Sequence, residues 1–277
     1  MINFFTLLYQ ALKATSAEEK CVLVQDIYTH FYSLKFVDEP ILLLQKPTFA
    51  NFCTILPKHK VPQGKVLKTD LNFAHLLHSI AHIEFCAIDL ALDCAYRFRN
   101  LPLQYYFDWI EVAKEEVQHF LALQHLLNLL GYQYGDFGVH TTLFDCMQNC
   151  NILLDRIAII PRGMEAIGLD VNPFLCAKVN ASKHPIKEEL LKVLNTLLKE
   201  EISHVSKGDK WFHYCCNVEK IPIKEHSKTY FDILQKHHFS FPKANSLLNA
   251  KARLKAGFTQ EEIEYLEQNH LKNIQIK

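Results

Sequence analysis

Glycine is scarce in this chain, at 8 of 277 residues. That weighs against turn-rich all-β folds and against the glycine-rich loops that cradle phosphates. Excess charge is absent too: 30 basic and 30 acidic side chains give a formal net charge of zero. Bulk attraction to nucleic acid or to a membrane surface is therefore not expected. No stretch approaches the roughly 18–20 uninterrupted apolar residues of a membrane helix. The apolar run at the start has no basic region ahead of it, which argues against a signal peptide. Neither Cys-x-x-Cys nor Gly-x-Ser-x-Gly occurs. The nine cysteines are an odd number, and Cys86, Cys94, Cys176, Cys215 and Cys216 lie in apolar helical stretches. Such thiols act as small buried hydrophobes, so a reduced, cytoplasmic protein is expected.

What the chain does have is apolar mass, 49% of its residues, enough for one large core or two small ones. Helical periodicity dominates, and nothing reads as a strand. Residues 3–34 read as two helices, the second opened by Ser16 with Glu18 and Glu19 in its first turn. Pro40, Pro47, Pro57 and Pro62 then break the pattern, so residues 35–68 read as a long irregular crossing. Asp70 is expected to cap a long helix reaching about Phe98. Pro102 fits the first turn of a second, which Gly131 stops. A third helix across 151–170 contains Pro161 and Gly163 and should kink or break there. Asn172–Pro173 reads as the start of a connector, and Pro185 opens a fourth long helix to about Asn217. The tail is helical, with Thr259 and Glu262 in capping-box spacing. The expected architecture is all-α: a four-helix bundle with extra N-terminal helices, a prolyl crossing segment and a helical C-terminal tail. The corresponding segments are 1–70, 71–217 and 218–277.

Two hexapeptides repeat. Lys114-Glu115-Glu116-Val117-Gln118-His119 and Lys199-Glu200-Glu201-Ile202-Ser203-His204 both read KEExxH inside long helices. Residues three apart on a helix point the same way, so each Glu-x-x-His offers a carboxylate and an imidazole to one point. Two such pairs, with one further glutamate from each of two other helices, make the di-metal carboxylate site of helical bundles. Glu84 and Glu165 are the fitting partners, 32 residues before Glu116 and 36 before Glu201, each on an apolar helix with an Asp five residues on. Burying four carboxylates without cations would cost many kcal/mol. The expected metal ligands are Glu84, Glu116, His119, Glu165, Glu201 and His204. Periodicity alone does not choose between Glu115 and Glu116, or Glu200 and Glu201; the analogy of Glu-x-x-His ligation favours the second of each.

Other residues read more plainly. Glu267-Gln268-Asn269-His270 repeats the spacing without a glutamate about 32–36 residues upstream on an apolar helix, and reads as a solvated helix end. Asp89 and Asp170 sit well round the helix from Glu84 and Glu165, and suit either bonds to the ligand histidines or helix contacts. His78 and His82 suit core or surface roles better than a second metal site. Arg156 and Arg162 suit structural pairing better than anion binding. Tyr105, Tyr106, Tyr132 and Tyr134 read as core-rim residues.

The stretch Ala81-His82-Ile83-Glu84 to Asp93, then Asp108-Trp109 and Lys114 to His119, resembles the ferritin-like family filed as domain-of-unknown-function family 455. So do Gly131 to Phe137, Glu165 to Asp170, Glu201 to Val205 and Ala256-Gly257-Phe258. The likeness covers roughly residues 35–260. It implies a ferritin-like bundle and a di-metal site at the six ligands named above, with Asp89 a departure where the family is expected to show Glu. Wider relatives include a tRNA-modifying hydroxylase, ribonucleotide reductase small subunits and storage ferritins, so a tRNA partner rests on fold analogy alone. The expected function is a di-iron oxidase or hydroxylase using O2, an unidentified substrate and an electron donor, with manganese as the alternative metal. The competing reading is an iron-handling ferroxidase or a metal-binding protein without oxygenase activity. Lys114 and Lys199 read as surface residues.

Overall fold

The computed structural model of the chain describes residues 2–239 and 248–275, with side chains to Gln268. All regular structure among these residues is helical. By contacts the chain divides into two compact units interleaved in sequence: Met1–Asn149 with Ser182–Val193, and Cys150–Ala181 with Leu194–Lys277.

The first unit opens with α1 (Phe4–Leu12) and α2 (Ala17–His30). Ser16 Oγ accepts the Glu19 amide at 3.1 Å, the cap its position promised. The prolyl crossing is irregular. It holds only short 3-10 turns at Thr48–Asn51 and Lys58–Lys60, and Pro47 and Pro57 immediately precede them.

Helix α3 runs Asp70–Arg97, and its cap is Thr69 rather than Asp70. The Thr69 hydroxyl takes the Asn72 amide at 3.3 Å, which leaves Asp70 in the first turn, where its charge suits the helix dipole. By length and composition this helix could cross a membrane, although scattered polar groups interrupt its apolar run. Some 72% of its most apolar window is buried inside the protein.

Helix α4 (Leu103–Leu129) has Pro102 at its cap position, just outside the first turn, with ψ 145°. Gly131 ends it at φ 80°. The Tyr132 amide reaches Leu127 O and the Gly131 amide reaches Asn128 O, a Schellman closure that favours glycine there. Gly135 is also left-handed, and a Cβ there would meet Phe52 O at 2.7 Å. The 131–140 loop thus lies against the crossing segment, with Val139 O accepting the Leu56 amide and Val139 N donating to Thr54 O. Helix α5 (Thr142–Asn149) completes the segment. Tyr105, Tyr106 and Tyr134 are buried, not at the rim, because each hydroxyl finds an internal partner.

The second unit begins with α6 (Leu153–Ile159), and a π turn, Ile160–Met164, leads straight into α7 (Glu165–Asn180). The break expected at Pro161 and Gly163 is thus a widened turn. Pro161 lacks an amide, and a side chain at Gly163 would press on Ala158 O at 2.9 Å. Pro173 does not start a connector; α7 runs through it. The carbonyl it leaves without its helical donor is Leu169 O, and Asn249 Nδ2 bonds that atom at 3.1 Å. A substitute donor keeps the helix whole. Helix α8 spans Lys187–Val218, followed by α9 (His226–Lys236), α10 (Ala250–Lys255) and α11 (Gln260–Gln275). The capping box opening α11 is reciprocal: Glu262 N to Thr259 Oγ1 at 3.2 Å, Thr259 N to Glu262 Oε2 at 3.0 Å.

Candidate metal centre

Each unit gathers one carboxylate–imidazole triad. In the first, Glu84 on α3 meets Glu116 and His119 on α4, each offering a ligand atom within 4.8 Å of the others. All three are buried in the apolar faces that pack α3 on α4. His119 Nδ1 lies 3.2 Å from Glu84 Oε2 and 3.3 Å from Glu116 Oε2. Two donors bound about 2.1 Å from one ion at right angles lie roughly 3 Å apart, so this spacing fits one coordination shell. Both carboxylates already point at the imidazole nitrogen.

The electrostatics fit a cation as well. Burial, and then the charge of Glu116, hold the Glu84 carboxyl above its ordinary range. Burial pulls the His119 ring down, but hydrogen bonds and charge from Glu116 and Glu84 outweigh it and raise the ring overall. A divalent ion would take over that proton's role. Of the doublet, it is Glu116 that joins His119; Glu115 is half-buried and outside the gathered group.

In the second unit, Glu165 opens α7 immediately after the π turn, and Glu201 and His204 lie on α8. Their ligand atoms also fall within 4.8 Å of one another, with His204 Nδ1 3.8 Å from Glu201 Oε1. His204 is buried, and the two glutamates are half-buried. A mixed oxygen and nitrogen set of this kind suits iron or manganese. The buried Glu/His clusters could hold metal.

The model of the family described as "Protein of unknown function (DUF455)" matches residues 13–264. The chain belongs to that family. A protein of Haemophilus influenzae described as "Uncharacterized protein" is 34% identical over 278 residues, which span 95% of this chain and 93% of the relative. No solved structure matches the chain.

Around the triads of this DUF455 protein, the remaining expectations resolve by partner. Asp89 is paired with Lys20, and Asp170 with Arg253, so both are taken by helix contacts. His82 Nε2 faces His140 O at 2.9 Å, and its Nδ1 faces the Tyr134 hydroxyl at 2.8 Å. The carbonyl can only accept, so Nε2 carries the proton and Nδ1 takes the phenol's. His78 Nε2 accepts the Gly135 amide at 3.0 Å. Arg162 is buried between Asp209 and Glu262, while Arg156 bonds Cys150 O. Lys114 is half-buried and Lys199 exposed. None of the nine cysteines is in a disulfide, and seven are buried. Glu267 is exposed, and the His270 side chain lies outside the described residues.

Sequence reasoning missed Lys20, Asp209 and Gly208. Lys20 had a signal: it shares the buried α2 face of Ala17, Cys21, Val24 and Ile27, where a charge needs a partner.

Proposed function

We propose that this protein is a ferritin-like di-iron carboxylate protein, an oxygen-dependent oxidase or hydroxylase with the six residues of the two triads as its metal ligands. The observation that carries the reading is the repetition itself. Two separate places in the chain each assemble a helical Glu-x-x-His with one more glutamate from a preceding helix. One such group has many explanations, whereas two with the same composition and order suit a pair of ions. When bound, the iron pair supplies redox chemistry toward O2.

The chain's own residues do the rest. Glu84 and Glu116 would hold an ion with their buried carboxylate oxygens, and the cation would in turn favour the ionised form of Glu84 that burial and Glu116 now oppose. His119 and His204 fix the ring nitrogens presented to the ions. The apolar faces of α3 and α4 exclude bulk water from the first triad. Substrate and electron donor enter from outside the ligand set.

Iron handling is the competing reading. Zero net charge over 277 residues, a long prolyl crossing and a helical tail are unlike what an acidic-lined storage shell requires. Anaerobic loading with Fe(II) followed by O2 separates the two. An oxidase or hydroxylase stops near two irons per chain and consumes O2 further only with electrons and substrate. Continued turnover with ferric mineral held in a multi-subunit shell would establish storage. Binding of no iron at all would end both readings.

A further inference from the structure

The second triad stands beside an unusual brace. Arg162 sits at the centre of the π turn, three residues before Glu165, and its side chain is completely buried. Its Nε donates to Asp209 Oδ1 at 2.8 Å, and Asp209 lies on α8 five residues after His204. Its Nη2 donates to both oxygens of Glu262 on α11, at 3.0 and 2.9 Å. The guanidinium also lies over the rings of Tyr230 and Phe258, at 4.1 and 4.5 Å. One side chain therefore ties the turn that launches Glu165 to the helix that carries His204, and ties both to the tail.

The backbone makes the same connection. Gly208 presses α8 against the turn so closely that a Cβ there would meet Pro161 Cβ at 2.8 Å and Arg162 N at 3.0 Å. On the far side of Glu165, Arg253 of α10 donates to Asp170 Oδ2 at 2.6 Å and to Ala166 O at 3.2 Å. A π turn inserts one residue into the helical count and swings everything after it by about 100°. Where Glu165 points therefore depends on the turn keeping its shape. The two arginine contacts bracket that residue in sequence.

We propose that Arg162 is the positioning residue of the Glu165–Glu201–His204 triad and that Glu262 of the C-terminal tail holds it in place, so that tail docking and metal binding favour each other. This rests on the triad being a metal site. A buried guanidinium needs its carboxylates, because losing one leaves an uncompensated charge. Releasing Glu262 therefore loosens the turn, and loosening the turn moves Glu165. Linkage makes the effect reciprocal: whatever factor the docked tail adds to metal affinity, metal adds to tail docking.

The test uses full-length, metal-free protein titrated anaerobically with Mn(II) and followed by electron paramagnetic resonance. Wild type should bind two ions. Glu262→Gln should weaken one of them by about tenfold or more, the range for residues that orient ligands, and leave the other unchanged. Arg162→Met should do the same, and Arg162→Lys should recover part of the loss. Should Arg162→Met fail to fold, Glu262→Gln and Asp209→Asn carry the comparison. Trypsin supplies the reciprocal reading at Lys251 and Lys255, exposed on α10. Mn(II) should slow cleavage there in wild type and not in Glu262→Gln. Two ions bound by every variant with wild-type affinity would overturn the brace and leave the metal site standing. No ion bound by wild type would overturn both.

Discussion

Lys20, the one buried lysine of α2, reaches across to Asp89 on α3 and also donates to the carbonyls of Ala11 and Leu12, at 3.0 and 3.1 Å. Three acceptors surround one ammonium that has no exposed surface. The pair pins the N-terminal hairpin onto the helix that carries Glu84, five residues before Asp89. Burial raises the Asp89 carboxyl, and the Lys20 charge and hydrogen bond oppose that rise.

Removing one member should therefore be worse than removing both. Lys20→Met should cost about 3–5 kcal/mol of stability, because it strands a buried carboxylate. Lys20→Met with Asp89→Leu should recover most of the loss. Denaturant unfolding of the four proteins in the cycle checks this, and equal costs for the single and double variants would contradict it.

His78 should make the protein acid-sensitive. Burial holds its ring down to about 4, with the nearby His75 adding to the depression and Asp136 opposing it. The reason is visible: Nε2 accepts the Gly135 amide, a role the protonated ring cannot fill. The unfolded chain takes up this proton near 6.5 and the folded one only near 4. Stability from this group is thus intact above about pH 6.5 and falls as pH drops toward 4, by about 1.4 kcal/mol per unit at most. His78→Gln should flatten the acid limb of stability against pH, measured by chemical denaturation between pH 7 and 4.

Pro173 and Asn249 should be coupled although 76 positions separate them. Asn249 bonds Leu169 O, accepts the Ala252 amide at 3.2 Å as the α10 cap, and gives its own amide to Asp170. Asn249→Ala should cost about 1–2 kcal/mol. In a Pro173→Ala background the new amide can serve Leu169 O, so the same change should cost less. Additive costs in the double variant would mean the carbonyl contact contributes nothing.

These contacts also explain which features were legible. The two Glu-x-x-His steps stand out because a period of 3.6 residues puts positions three apart on one face, and Ser16 and Thr259 announce their helices by local chemistry. Gly131 is legible for the same reason, since its own amide and that of Tyr132 make its closure. Pro173 misleads because its rescue comes from Asn249, which no local window contains. Thr69 and Asp70 differ by one residue, and either type can cap. The choice of Glu116 over Glu115 needs to know which face α3 covers. Arg162 needs two partners 47 and 100 residues away. Long-range pairing of charges leaves no periodic trace.

Glu116 and Glu115 provide the sharpest discrimination of the metal reading, because they are neighbours with different surroundings. Glu116 has no exposed surface and lies 3.3 Å from His119 Nδ1. In metal-free protein its charge works against that of Glu84. In metal-free protein Glu116→Gln relieves that repulsion but also loses the Glu116 charge and hydrogen bond that hold the His119 proton, two opposing effects. The response to metal is the discriminating measurement. An ion present at a hundred times its dissociation constant adds about 2.7 kcal/mol to the folded state. For a chain of this size that is a rise of several degrees in melting temperature. Wild type and Glu115→Gln should both show the rise with Mn(II) or anaerobic Fe(II), and Glu116→Gln should lose most of it. A full metal-induced rise in Glu116→Gln, or its loss in Glu115→Gln, would show that the ligand has been assigned to the wrong glutamate.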